Sequence, residues 1–252
     1  MKDKITVLKK TARTAGLLYL LFALTAIYGF MYVSPKISLS GGPVATANNV
    51  LNHEFLFRTS IASDLITNVL FVIVVLILYR LFRQVNEFLA KLMVGLVMVA
   101  IPVVLLGGGL KVIALSIFNG DMLNSFSAQQ KFELATTFIR LANYSSRIIT
   151  IFWGLWLVPL GLLVFRSVFI PRVLGLLLIV NGLGYIIKSL TFILMPQYQA
   201  TVSRFTFPTY FIGEIPFILW LLIVGVRDHL SIIVVGETNS ELKAKKVKEY
   251  SQ

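Results

Sequence analysis

The chain has 252 residues, 57% of them hydrophobic and only 13% charged. Soluble domains are about half apolar and about a quarter charged, so this composition, with a mean hydropathy of +0.85, excludes a single soluble core. The net charge of +12 would point a soluble protein toward nucleic acid. Here no basic stripe alternates with aromatics, and most Lys and Arg residues fall at the N-terminus, in two short loops and in the C-terminal tail. That is the positive-inside pattern of a multi-pass membrane protein, and no nucleic-acid partner is expected.

In chain order, Met1 to Arg13 is basic, and Ala12 to Val33 reads as a retained first transmembrane helix. Its apolar part is too long for a signal-peptide core. Thr59 to Tyr79 is the second span, ending at Arg80 and Arg83, and Leu92 to about Phe118 is the third, entered from Lys91. The fourth runs from about Asn143 to Phe165. The fifth opens at Pro171–Arg172 and ends near Met195–Pro196, and the sixth is Thr206 to Val226. The segments between spans at the far side are Ser34 to Arg58, Asn119 to about Ala142, and Pro196 to Phe205. The first carries Ser-Gly-Gly-Pro and Ala-Asn-Asn, which are loop chemistry. The second carries Ser127 to Gln130, a capping box that starts a helix.

The expected fold is therefore all-α: a polytopic transmembrane bundle of six spans over residues 1–228, with a polar tail over 229–252. An even number of spans and the Lys/Arg bias put both termini in the cytoplasm. The lysine-rich tail (Lys243, Lys245, Lys246, Lys248) is placed to touch anionic lipid. The spans Arg13 to Gly16, Lys91 to Gly95 and Arg172 to Gly175 open alike, as a cation anchor followed by a small packing residue.

Ionisable residues inside spans carry the functional question, since each is costly unless paired or hydrated. A helix rises ~1.5 Å per residue. Counting from the cation at the inner end, Glu214 lies 13 positions from Arg227, roughly 20 Å up. Asp64 and Lys188 lie 16 positions from Arg80 and Arg172, roughly 24 Å up. Arg147 and Lys111 come at about 28 to 30 Å, and Arg58 falls beyond the core. The inner halves carry no charge.

Two acids thus face an excess of cations in the outer half. One reading pairs Asp64 and Glu214 with Lys188 and Arg147, while Lys111 snorkels to headgroups. The other is an outward-facing polar vestibule. In it Asp64 and Glu214 set the floor, Asn68 lines the pocket on the Asp64 face one turn below, Lys111, Arg147 and Lys188 hold a small anionic or amphiphilic, lipid-like ligand, and Arg58 guards the mouth. Gly213-Glu214-Ile215-Pro216 marks a bend in the sixth helix. The glycines Gly107 to Gly109 beneath Lys111 form a thin wall suited to close packing, with Pro102 adding a bend.

Other classes have less to rest on. There are no cysteines, and the two histidines, His53 and His229, fall on opposite sides, so no metal or cofactor site is expected. No HExxH or G-x-S-x-G signature is present. An intramembrane lipid-modifying enzyme would use Asp64 and Glu214 as an acid–base pair. A transporter would carry polar groups nearer the midplane. A structural or partner-binding subunit would need only paired charges.

Four stretches carry a family resemblance: Ala12 to Leu20, His53 to Ile66, Tyr79 to Met93 and, the most specific, Phe152 to Gly175. Together they resemble the integral-membrane family called domain of unknown function 4386, over nearly the whole chain up to about Arg227. The resemblance implies a bacterial or archaeal inner-membrane protein with several spans and places Glu54, Arg58 and Asp64 in a family motif. It implies no reaction, substrate or cofactor.

Overall fold

The computed structural model describes residues 2–37, 39 and 41–227, and every described element is helical. The polar tail, with its lysines and His229, lies outside the described residues. Helix α1 spans Lys2–Ile27 and continues as a π-helical turn, Tyr28–Val33. Then come α2 (Gly42–Asn52), α3 (Glu54–Phe82), α4 (Glu87–Phe118) and α5 (Ala128–Leu155). These are followed by α6 (Leu157–Arg166), α7 (Arg172–Leu194), a 3-10 turn (Pro196–Tyr198) and α8 (Gln199–Ile223). Among the described residues, six helical segments are long and apolar enough to cross a membrane: Ile5–Val33, Glu54–Phe82, Glu87–Phe118, Ala128–Arg166, Arg172–Leu194 and Pro196–Ile223.

Six spans were expected, but they are longer than hydropathy alone delimits. The expected loop over residues 34–58 contains α2. Gly41 and Gly42, at φ of 87° and 86°, make the turn that Ser-Gly-Gly signals, and Pro43 then opens the helix. Ala-Asn-Asn lies inside α2, not in a loop. The helix persists because Thr46, Ala47 and Val50 share one buried face, packed toward α5. The expected outer segment at 196–205 is helical too, as the 3-10 turn Pro196–Tyr198 and the first turns of α8. The Ser127 capping box is realised in both directions, Gln130 N–H to Ser127 Oγ at 3.3 Å and Ser127 N–H to Gln130 Oε1 at 2.9 Å. From there the fourth span runs 39 residues and breaks at Trp156. Pro159 explains the break, since it has no N–H for the Leu155 carbonyl. Through Pro102, and through Gly213 and Pro216, α4 and α8 run on as unbroken helices.

Each span packs on the next in chain order, and α8 closes the ring on α1. At one end, called here the basic end, lie Arg13, Arg80, Lys91, Arg166, Arg172 and Arg227. α2 and the start of α5 cover the opposite, capped end. The main core fills the ring from the basic end to its middle, with Tyr19, Phe71, Phe82, Trp156, Phe169 and Phe217 among its buried rings. A smaller core lies under α2, built from Ala47, Val50, Phe57, Ala114 and Ile139.

Glycines set the closest helix contacts. Gly154 and Gly161, seven apart, oppose Gly175 and Gly182, also seven apart, across antiparallel chains. A Cβ on Gly161 would lie 2.7 Å from the Gly175 carbonyl oxygen, and one on Gly182 would lie 2.8 Å from that of Gly154. Gly16 meets the α8 backbone in the same way, with a Cβ 2.5 Å from Leu222 N. Of the three similar span openings, Gly16 and Gly175 are thus true backbone contacts, whereas Gly95 has nothing within 4 Å. The triple glycine is also mostly open: Gly107 faces Ala142 at 3.7 Å, Gly108 barely reaches Ile61, and Gly109 faces nothing.

Candidate functional site

The intramembrane charges separate into three places rather than one vestibule. On α3, Asp64 Oδ2 accepts from Lys111 Nζ of α4 at 2.8 Å. Lys111 therefore does not snorkel alone, and Asp64 does not pair with Lys188 or Arg147. Asn68, one turn away, is buried and donates to the Asp64 main-chain oxygen at 2.7 Å, not to its carboxylate. Around this pair the hydroxyls stitch α1 to α3. Ser63 donates to the Thr25 carbonyl at 3.0 Å, Thr67 to Thr25 Oγ1 at 2.8 Å, and Tyr28 and Thr59 share a bond of 2.9 Å.

Glu214 on α8 is held between α1 and α7. Tyr19 O–H donates to its Oε2 at 2.6 Å and Asn181 Nδ2 to its Oε1 at 2.9 Å. Among the described residues it has no cation within 4 Å, so the expected pairing with Lys188 or Arg147 is not made. Thr209 Oγ1 reaches Asn181 Oδ1 at 3.5 Å, and the ring of Tyr185 stacks on that of Tyr210 at 4.2 Å just beyond. Asn181 is completely buried, pressed by Gly213, where any Cβ would collide with it.

Glu214 also lies deeper than the sequence count places it. α8 ends at Ile223, and Gly225, at φ 74°, turns the chain back so that Arg227 N–H reaches Phe169 O at 3.2 Å. Only nine residues of helix separate Glu214 from the end of α8, ~13 Å of rise. That is the level of Asn181 on α7, near the middle of the ring. Asp64 sits beside Gly29, where a Cβ would be 3.6 Å from Oδ1. Gly29 is ten residues along α1 from Tyr19, ~15 Å higher. Asp64 and Glu214 therefore cannot act as one acid–base pair.

The third place is the cations Arg147 on α5 and Lys188 on α7, toward the capped end. Among the described residues neither has a carboxylate within 4 Å. Each leans on an aromatic face instead, Lys188 Nζ 5.2 Å from the Tyr210 centroid and Arg147 5.3 Å from that of Phe192. Ser189, next to Lys188, donates to the Ile148 and Arg147 carbonyls at 3.0 and 3.2 Å, fixing the two helices together. Arg58, exposed at the start of α3, pairs with Glu54 one turn before it at 2.6 Å.

Sequence reasoning overlooked Tyr19, which completes the Glu214 site. Its signal is position: Tyr19 lies one turn after Gly16, on the face that approaches α8. Among the described residues no three His, Cys, Asp or Glu side chains come together for a metal. Trp153 and Trp156 pack on Tyr185, Tyr19 and Phe71 as core rings.

The model of the family described as domain of unknown function (DUF4386) matches residues 14–225. The chain belongs to this family. Its match covers five spans whole, most of the first and all three charged places, and its description carries no activity. A curated protein of Archaeoglobus fulgidus, described as an uncharacterized protein, is 37% identical over 75 residues, 30% of this chain and 43% of that relative. The chain thus spans less than half the length of the relative it matches. No solved structure matches.

Proposed function

We propose that this DUF4386 protein binds the anionic group of a small anionic or amphiphilic, lipid-like molecule at the capped end of the bundle, with Arg147 and Lys188 as the anion-holding residues. One observation carries the reading. These two cations lie on helices joined through Ser189 and have no carboxylate within 4 Å among the described residues, whereas Lys111 is neutralised by Asp64 and Arg58 by Glu54. Intramembrane cations that no carboxylate neutralises favour an anionic ligand. Below them the Tyr185–Tyr210 stack, Thr209 and Asn181 lead to Glu214. In this reading Glu214 is the polar floor, and the Asp64–Lys111 pair with Asn68 braces α3 against α4.

The positive-inside bias of the basic end supports a cytoplasmic-membrane location with both termini in the cytoplasm, so that the Arg147–Lys188 place faces outward. The site then opens to the outer leaflet. A photoactivatable dodecyl phosphate should label α5 and α7 near these residues, with a phosphocholine analogue labelling them several-fold less. R147Q/K188Q should abolish that difference at an unchanged melting temperature. Equal labelling by both probes, or wild-type labelling of the double variant, would overturn the reading.

A further inference from the structure

A concave site lies at the basic end, away from the three intramembrane charged places described above. Along α1, against Leu222 of α8, runs an open concavity of about 420 Å³. Its walls carry Lys9, Lys10 and Arg13, the hydroxyls of Thr6 and Thr14, and below them Leu17 and Leu222. Residues 6, 9, 10, 13, 14 and 17 recur at three- and four-residue spacing, so they form one continuous face of α1. No acid among the described residues lines the cavity.

The site is shaped by the chain and is not a loose run of surface lysines. Arg13 Nη2 donates to the Ile223 carbonyl at 3.0 Å, which fixes the guanidinium at the C-terminal end of α8, where a cation is favoured. Among the described residues the guanidinium donates to no other side chain, which leaves N–H groups to meet a ligand. Gly225, in the left-handed region, brings the turn against the stem of Lys9, where a Cβ would lie 3.3 Å from Lys9 Cγ. Gly16, one turn from Arg13, is where α1 and α8 touch backbone to backbone, so the two walls cannot drift apart.

The vertical order is the deciding feature. Cations and hydroxyls stand at the end of the helices, and the half-exposed Leu17 stands directly beneath them on the same face. That sequence of chemistry matches a phosphate, then a glycerol ester, then an acyl chain. We propose that this cavity holds the headgroup of an anionic phospholipid, with Lys10 and Arg13 on the phosphate and Leu17 with Leu222 against the first methylenes. It is independent of the Arg147–Lys188 place, at the opposite end of the bundle.

The test is lipid retention by the full chain, purified from vesicles of equal phosphatidylglycerol and phosphatidylcholine and weighed intact by native mass spectrometry. The wild type should retain phosphatidylglycerol preferentially. K10Q removes an exposed cation that shares no bond with α8, and should cut the preference about fivefold while the melting temperature holds. R13Q should cut it further and also lower the melting temperature, since it releases the α8 end. R147Q/K188Q should leave it unchanged. Wild-type preference in K10Q would overturn the proposal. So would release of the lipid by tens of millimolar inorganic phosphate, which would make the cavity a free-anion site.

Discussion

The two ends of the bundle are held together by different physics. From the basic end to the middle, helices touch backbone to backbone. Gly154, Gly161, Gly175 and Gly182 leave no room for a methyl group, and Gly16 repeats this between α1 and α8. Toward the capped end the helices are joined by side chains: Asp64 to Lys111, Ser63 and Thr67 to Thr25, Ser189 to the α5 carbonyls. Lipid tails offer helices no hydrophobic drive to associate, so close packing and interhelical hydrogen bonds are the two means available. This chain uses each in a different region. Close packing fills the interior, and side-chain bonding joins the helices toward the capped end.

Substitutions can break that contrast directly. The largest effect is expected at the glycine seam: Gly154→Val should cost about 3 kcal/mol or more, because its side chain meets the α7 backbone rather than a movable side chain. Thermal melting in detergent reads it, and a melting temperature near wild type would show that the seam is slack. Next comes Tyr19→Phe, which leaves the Glu214 carboxylate short of a donor and should cost about 1–3 kcal/mol. Glu214→Gln combined with Tyr19→Phe should then be less harmful than the two losses added, and strict additivity would refute the coupling. At the capped end, a double-mutant cycle of Asp64→Asn and Lys111→Gln should give a coupling of about 1 kcal/mol or less, since the Asp64 side chain is 40% exposed. The smallest effect is expected at open glycines: Gly95→Ala and Gly109→Ala should stabilise by about 0.5–1 kcal/mol, in contrast to every glycine of the seam.

Helices were the most legible part of this sequence. Long apolar runs located all six spans, and the Ser127–Gln130 box located the start of α5. Loop residues misled where their role was to start a helix: Gly41, Gly42 and Pro43 read as a turn, which they are, but the buried face Thr46, Ala47, Val50 beyond them makes α2. The site was legible in composition but not in pairing. Depth counting placed Asp64 and Lys111 close together in height, yet which cation each acid meets depends on helix rotation and neighbour order, and those come from glycine contacts. The same limit misplaced Glu214, because the count from Arg227 assumed helix through Gly225. The triple glycine caught the eye by its run, whereas the glycines that matter are spaced by seven and lie on two separate helices.

The contact of α1 with α8 has a topological consequence. The six spans form a closed ring in chain order, with no first or last member in space. Residue 2 and residue 227, the outermost described positions, lie at the same end of that ring. Joining these positions by a short linker and opening the chain in the turn between α3 and α4, around Gln84, would give a permuted protein with every interhelical contact intact. For this bundle, the order in which helices enter the membrane and the arrangement they reach are separable properties.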